Sequence, residues 1–232
     1  NWINKALAID SNNYANFWIT KGEILNRLGR HPEAMACYSR AIAIEPGHKL
    51  WYQTKASAYN DYLHDYKSGL LYLDSALLLA PDDEFLLQGK ALTYWRLGEG
   101  NEGIEVIDKA LRLPKQQYSF LSHGIKGSLY GSLGLYEEAL KQYDTDVLLN
   151  PEYDTHLDRA QVLILLRRFD EALLSTQKAL QLTPDNPTAH LSKFACYVGL
   201  KKYEDAVAAF DKALQLGAVP TYGDYYNLGC CY

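Results

Sequence analysis

The chain lacks the features that mark membrane and nucleic-acid-binding proteins. No apolar stretch comes near the roughly 18 uncharged residues that a membrane-spanning helix needs, so we expect no membrane insertion. Its 28 acidic residues outnumber its 23 basic residues, for a formal net charge of −5, and the sequence has no basic run. A nucleic-acid partner is therefore not expected, because affinity for nucleic acid depends on clustered cations.

The residue types that form metal sites and active sites do not cluster in the sequence. The cysteines are Cys37, Cys196, Cys230 and Cys231, and no pair has zinc-ligand spacing. We therefore expect no metal site, and reduced thiols in a cytoplasmic protein are the simplest interpretation. An active site needs a nucleophile, a base and an orienting group that converge, whereas the histidines are spread at repeat intervals. No Gly-rich phosphate loop follows a strand, so the sequence predicts neither an enzyme nor a cofactor.

What the chain does contain is a pattern of about 34 residues that recurs from end to end. Its units begin near residues 15, 49, 84, 120, 153, 187 and 222. One column of the aligned units holds small residues: Gly22, Ala56, Ala91, Gly127, Ala160 and Gly229, with Phe194 as the exception. A later alanine column, Ala41, Ala76, Ala110, Ala179 and Ala213, is broken by Asp146. A period of this length is typical of a helical solenoid.

Apolar residues recur at helical spacing within each unit, so we expect an all-α fold built from antiparallel helix pairs. Small residues opposite large ones allow the helices of a pair to pack closely. We expect a single solenoid over 1–232, with half-repeats at 1–14 and 222–232 around six full repeats. Both ends fall inside a repeat, which indicates a fragment of a longer chain. The uncovered terminal helices, one of which carries Trp2, Ile3, Leu7 and Ile9, predict possible self-association.

This pattern resembles the tetratricopeptide repeat (TPR), whose helix–turn–helix units carry Trp, Leu-Gly, Tyr, Ala and Pro at fixed offsets. The match is nearly letter for letter in residues 18–22, WITKG, and 135–140, LYEEAL. A basic residue before the first small position corresponds to a familiar Lys-Gly variant of the family. The resemblance implies a right-handed superhelical solenoid whose first helices line a concave groove for a protein or peptide ligand.

The resemblance also places groove residues by their position in each first helix. Phe85, Leu92 and Trp95 are interpreted as an apolar anchor site, although Trp95 alternatively shields the next helix. Chaperone-binding members carry a clamp of Lys and Asn, but the corresponding places here hold Ile19, Glu23, Thr54, Phe85 and Gly89. An adaptor for Hsp70 or Hsp90 tails is therefore not expected. The implied groove residues are Asn16, Thr20, Glu23, Gln53, Ser57, Asn60, Phe85, Gln88, Leu92, Trp95, Ile125, Ser128 and Gln161.

Two polar columns each have more than one interpretation. Lys21, Lys55, Lys90, Lys126, Arg159 and Lys193 either pair with Asp74, Asp108, Asp144 and Asp211 on the second helices or form a ladder for an acidic ligand. The equivalent histidines His123, His156 and His190 suggest a metal site. Neighbouring repeats, however, stand about 8–10 Å apart, and a zinc ligand lies about 2 Å from its ion. We therefore expect these rings to replace aromatic residues between repeats.

These observations predict a protein–protein interaction scaffold that binds a peptide or helix in its groove. The alternative is a structural spacer or homo-oligomerisation module whose groove or ends are filled by its own chain or a twin. In both cases the solenoid acts by contact rather than by catalysis.

Overall fold

The computed structural model describes residues 14–114, 119–150 and 155–231. Within these ranges every regular element is helical, and the elements are 13 α-helices and one π-helical turn. The predicted all-α class is therefore confirmed. The predicted opening half-repeat, including Trp2, Ile3, Leu7 and Ile9, lies outside the described residues.

The chain divides into two compact units, Asn1–Gln116 and Gln117–Tyr232, called unit 1 and unit 2 below. In each, helices connected by short turns pack as antiparallel pairs. Unit 1 contains α1 (Ala15–Arg27), α2 (His31–Ile44), α3 (Lys49–Ala58), the π-turn (Tyr59–Leu63), α4 (Tyr66–Leu79), α5 (Glu84–Leu97) and α6 (Gly100–Leu111). Unit 2 contains α7 (Ser119–Ser132), α8 (Tyr136–Leu149), α9 (Thr155–Leu165), α10 (Phe169–Leu182), α11 (Pro187–Gly199), α12 (Tyr203–Gln215) and α13 (Tyr222–Gly229).

The helices begin where the local sequence favours an N-terminus. Side chains of Asp65, Asp83, Asn186 and Thr221 accept hydrogen bonds from backbone N–H groups in the first turns of α4, α5, α11 and α13. The second helices α2, α6, α8, α10 and α12 each carry one or two acids in their first turn. Those carboxylates complement the positive end of the helix dipole.

The small-residue column is where the two helices of a pair touch. A Cβ atom added to Gly22 would lie 2.5 Å from Cε1 of Tyr38 on α2, and one added to Gly127 would lie 2.8 Å from Cε1 of Tyr143 on α8. Both tyrosines are buried, so each ring fills the space that the glycine leaves. Phe194, the exception in the column, meets the Phe210 ring edge-on at 5.0 Å instead.

In the second repeat the two small-residue columns are one residue further apart than in the neighbouring repeats, and the extra residue falls at the end of its first helix. Ala56 and Gly69 are 13 residues apart, whereas the equivalent Gly22 and Ala34 are 12 apart. The extra residue is accommodated by the π-turn at Tyr59–Leu63, because a π-helical turn holds one more residue than an α-helical turn.

We expect Gly127→Ala to destabilise the protein by about 1–2 kcal/mol, because the clash with Tyr143 outweighs the better helix propensity of alanine. Gly131 in the same helix is the matched control, since a Cβ there meets nothing within 4 Å. Gly131→Ala is expected to stabilise by about 0.5 kcal/mol. Urea unfolding of both variants measures the difference, and equal effects at the two glycines would contradict the packing argument.

Candidate functional site

The first helices of unit 1 expose one continuous polar-to-apolar face, called the inner stripe below. In α1, Asn16, Thr20 and Glu23 are exposed and lie within about 60° of one another around the helix. Leu50, Thr54 and Ser57 occupy the same positions in α3, and Phe85, Gly89 and Leu92 occupy them in α5. The inner stripe is therefore polar on α1, mixed on α3, where Leu50 is 46% exposed, and apolar on α5.

The apolar part of the inner stripe has a gap at Gly89. Phe85 is 46% exposed and Leu92 is half-buried, and the two lie within about 20° of each other on α5. Gly89 lies between them. A Cβ there would meet only Leu73 Cδ2, at 3.6 Å, which is ordinary van der Waals contact. Packing inside unit 1 does not require a glycine at this position.

Trp95 lies at the edge of the face of Phe85 and Leu92. It lies three residues beyond Leu92 and is therefore turned by about 60° around α5, in line with the buried Gln88. Its side chain is 41% exposed. The anchor of Phe85, Leu92 and Trp95 stays a prediction, with Trp95 at its edge and Phe85 and Leu92 at its centre.

Three predicted groove residues point into the fold instead. Asn60 is 9% exposed, lies against Gly69 of α4 and donates from Nδ2 to Thr93 Oγ1 of α5 at 2.8 Å. Gln88 is 5% exposed and donates to Glu84 Oε1 at 3.2 Å. The Ser128 hydroxyl lies 3.0 Å from that of Tyr143. A buried amide at the same column position in α1, Asn26, which donates to the Tyr38 hydroxyl, is the signal that identifies Asn60 as structural.

The remaining predicted residues are accessible. Gln53 is half-buried at the edge of the inner stripe on α3. In unit 2, Ile125 on α7 is half-buried, and Gln161 on α9 is exposed. One polar link that the sequence interpretation missed borders the inner stripe. Arg96 Nη1 donates to Asp61 Oδ1 at 2.8 Å and so joins α5 to the π-turn.

The basic column makes contacts within the fold. Lys90 Nζ and Arg159 Nε each lie 2.6 Å from a carboxylate oxygen, of Asp74 and Asp144 respectively. The predicted pairing with second-helix aspartates is therefore confirmed for these two cations, and both aspartates belong to the preceding repeat. Lys55 instead donates to Ser39 Oγ at 2.7 Å. These cations connect successive repeats, since each reaches back from a first helix.

The histidines make separate contacts. His123 Nδ1 lies 3.0 Å from Gln142 Oε1, and His190 Nε2 donates to the Pro184 carbonyl at 3.0 Å. Over 14–114, 119–150 and 155–231, no group of three or more His, Cys, Asp or Glu side chains is close enough to hold a metal ion. The thiols of Cys37 and Cys196 are buried, and burial raises the pKa of Cys196 to about 11.

Asp146, which breaks the alanine column, is a buried carboxyl between α7, α8 and α9. Its Oδ2 accepts a hydrogen bond from Thr155 Oγ1 at 2.8 Å, and a Cβ on Gly124 would lie 2.8 Å from the same oxygen. Burial raises the pKa of Asp146 above its ordinary value of 3.8, while the Thr155 hydroxyl and the nearby His123 act in the opposite direction. The glycine therefore makes room for a carboxyl whose ionised form is disfavoured by burial.

Stacked pairs of short antiparallel helices, with small residues at each pair's contact, define a helical repeat protein. The tetratricopeptide repeat pattern matches residues 15–48, 126–187 and 157–223, together more than half of the chain. The chain belongs to the tetratricopeptide repeat family. Proteins of this fold are generally protein–protein interaction scaffolds.

Individual relatives agree with this assignment. A TPR repeat-containing protein of Methanocaldococcus jannaschii is 25% identical over 172 residues, which cover 73% of this chain but only 30% of that relative. The crystal structure of PilW, a type IV pilus biogenesis factor, superposes with a TM-score of 0.78 at 17% identity and covers 93% of this chain and 97% of PilW. That of YrrB, titled a TPR protein with an unusual peptide-binding site, gives 0.61 at 19% identity over 83% of this chain and 97% of YrrB.

Within 14–114, 119–150 and 155–231, no helix combines the length and the apolar character that are needed to cross a bilayer.

We expect Asp146→Asn to stabilise the protein at neutral pH, because asparagine keeps an acceptor for Thr155 without a buried charge. The pKa of Asp146 is higher in the folded protein than in the unfolded chain, where it is near 3.8. Protonated Asp146 therefore stabilises the fold fully below pH 3.8, and this stabilisation is lost as the pH rises through the folded-state pKa. The advantage of the variant is therefore expected to shrink on acidification.

Urea unfolding at several pH values measures this advantage, with Asp211→Asn as the control because Asp211 is exposed. An advantage that is independent of pH, or equal in the two variants, would show that the charge of Asp146 is not what costs stability.

Proposed function

We propose that the protein is an interaction scaffold that binds an extended peptide segment of a protein partner along the inner stripe of unit 1. An apolar side chain of the peptide lies over Gly89 between Phe85 and Leu92. The hydroxyl and amide groups of Thr54, Ser57 and Gln53 face the peptide backbone, whose N–H and C=O groups need hydrogen-bonding partners.

The observation that carries this proposal is the glycine at the centre of an exposed apolar face. Glycine inside a helix costs about 1 kcal/mol relative to alanine. Gly89 has no steric need to be small, since its nearest neighbour would be 3.6 Å away. A small residue on the outer surface of a helix instead allows a ligand to approach the backbone closely, and Phe85 and Leu92 give that ligand two apolar walls.

The family supports a peptide as the ligand class, and YrrB, with the same fold, is described by a peptide-binding site. Binding rather than catalysis is the proposed role. This role is supported by the histidines, because His123 and His190 contact different partners and do not converge on one site.

Gly89→Ala is the test, because its two expected effects have opposite signs. The variant should unfold at higher urea, by about 0.5–1 kcal/mol, yet bind peptide about tenfold more weakly, since the added methyl group occupies the gap. The probe is an array of random dodecapeptides, from which the strongest ligand is taken for fluorescence anisotropy. Leu92→Ala should weaken the same peptide by a similar factor.

Gly131→Ala provides the matched control, since it adds a methyl group to a helix of unit 2 where nothing lies within 4 Å. It should leave the affinity unchanged. If Gly89→Ala raises stability while the peptide binds as before, no ligand lies over Gly89 and the proposed site is wrong.

Salt dependence gives an independent prediction. Because Lys90 and Arg159 are paired with Asp74 and Asp144, peptide binding on the inner stripe should change less than about threefold between low and moderate salt. Anisotropy titrations over a sodium chloride series measure it. A steep loss of affinity would instead favour the basic column as a ladder for an acidic ligand.

A further inference from the structure

The face of each unit formed by the second helices carries a cleft at an equivalent position. In unit 2 a cleft of about 640 Å³ lies between α8 and α10, with Arg159 of α9 at its floor. In unit 1 a cleft of about 620 Å³ lies between α4 and α6, with Lys90 of α5 at its floor. Both are within the range of roughly 300–1,000 Å³ that is usual for ligand sites. We call them the outer clefts.

The outer cleft of unit 2 has an exposed aliphatic rim. Leu148 is 82% exposed and Leu174 is 64% exposed, and Val147 lies beside them on α8. Single exposed leucines are normal on a soluble protein. Here the two leucines stand on opposite sides of one concavity, so an apolar group that enters it removes both from water.

The charges of this cleft favour an acidic ligand. Asp144 lies 2.6 Å from Arg159 Nε, so the one carboxylate that lines the cleft among the described residues is already paired. Lys178 is exposed at the cleft wall and has no ion-pair partner among the residues that the structure describes. An unpaired ammonium beside apolar walls attracts a carboxylate that arrives together with an apolar group.

In unit 1 the lysine equivalent to Lys178 has an acidic partner. Lys109, the equivalent of Lys178, lies 3.2 Å from Asp82 Oδ1 and donates to the Pro81 carbonyl at 2.6 Å. A lysine at this wall therefore reaches both a carboxylate and a backbone carbonyl at the cleft edge. A peptide with an acidic residue presents the same two groups, a carboxylate and a backbone carbonyl.

We propose that the outer cleft of unit 2 is a second docking site, which takes an acidic, leucine-bearing segment of a protein partner. The leucine of that segment packs between Leu148 and Leu174, and the adjoining carboxylate pairs with Lys178. Gln161 faces the other side of α9, about 200° from Arg159 around the helix. The site is thus separate from the inner face of unit 2, and it does not depend on the peptide site proposed for unit 1.

The probe is a set of three labelled dodecapeptides with one leucine followed by two glutamates, two glutamines or two lysines. Anisotropy should show the glutamate peptide binding at least tenfold more tightly than the glutamine peptide, with an affinity that falls as salt rises. Lys178→Glu should reverse the preference towards the lysine peptide. Leu148→Asp, at a side chain that is already exposed, should weaken the glutamate peptide by at least tenfold.

Gln161→Ala and Gly89→Ala are the controls, and both should leave binding of the glutamate peptide unchanged. Equal affinity for the glutamate and glutamine peptides, or no reversal with Lys178→Glu, would overturn the proposal. So would a concentration-dependent dimer of the chain that Leu148→Asp abolishes, since the occupant would then be a second copy. Loss of binding with Gly89→Ala would place the peptide on the inner stripe instead.

Discussion

The packing of a ring into the space left by a missing side chain is the contact on which the remaining structure depends. Tyr38 lies against Gly22 and Tyr143 against Gly127, each within the distance at which even one methyl group would collide. In these two pairs the contact fixes how far apart the helices stand. Ala56 and Ala91, both fully buried, hold the same column in α3 and α5, so in all three first helices of unit 1 the inner stripe lies away from the small residue that faces the second helix.

Successive repeats are joined by different means from those that join the helices of a pair. Lys90 and Arg159 reach back to aspartates of the preceding second helix, and Asn60 reaches forward to Thr93 of the following first helix. These polar contacts join neighbouring helices of successive repeats. The second-helix face therefore holds a paired acid and base at the floor of each outer cleft, under an aliphatic rim that the pairing does not use.

The sequence alone predicts the helices and the face of each helix that carries its small residues. A period near 34 residues with two columns of small residues fixes which helices pack as a pair. The sequence also predicts Asn16, Thr20, Glu23, Ser57, Phe85 and Leu92 on accessible positions, since these follow helical spacing from the column. It fails for Asn60 and Gln88, because counting positions does not show which polar side chains neighbouring residues bury. Asn60 donates to Thr93 Oγ1, and Gln88 donates to Glu84 Oε1.

The π-turn has a consequence for the register of the whole repeat array. One added residue in an α-helix rotates everything after it by about 100°, which would turn a buried face towards solvent. At Tyr59–Leu63 the extra residue is confined to a single wider turn, so α3 before it and α4 after it keep the faces that their columns require. The wider turn therefore absorbs the extra residue, and the helices on either side of it stay aligned with the small-residue columns.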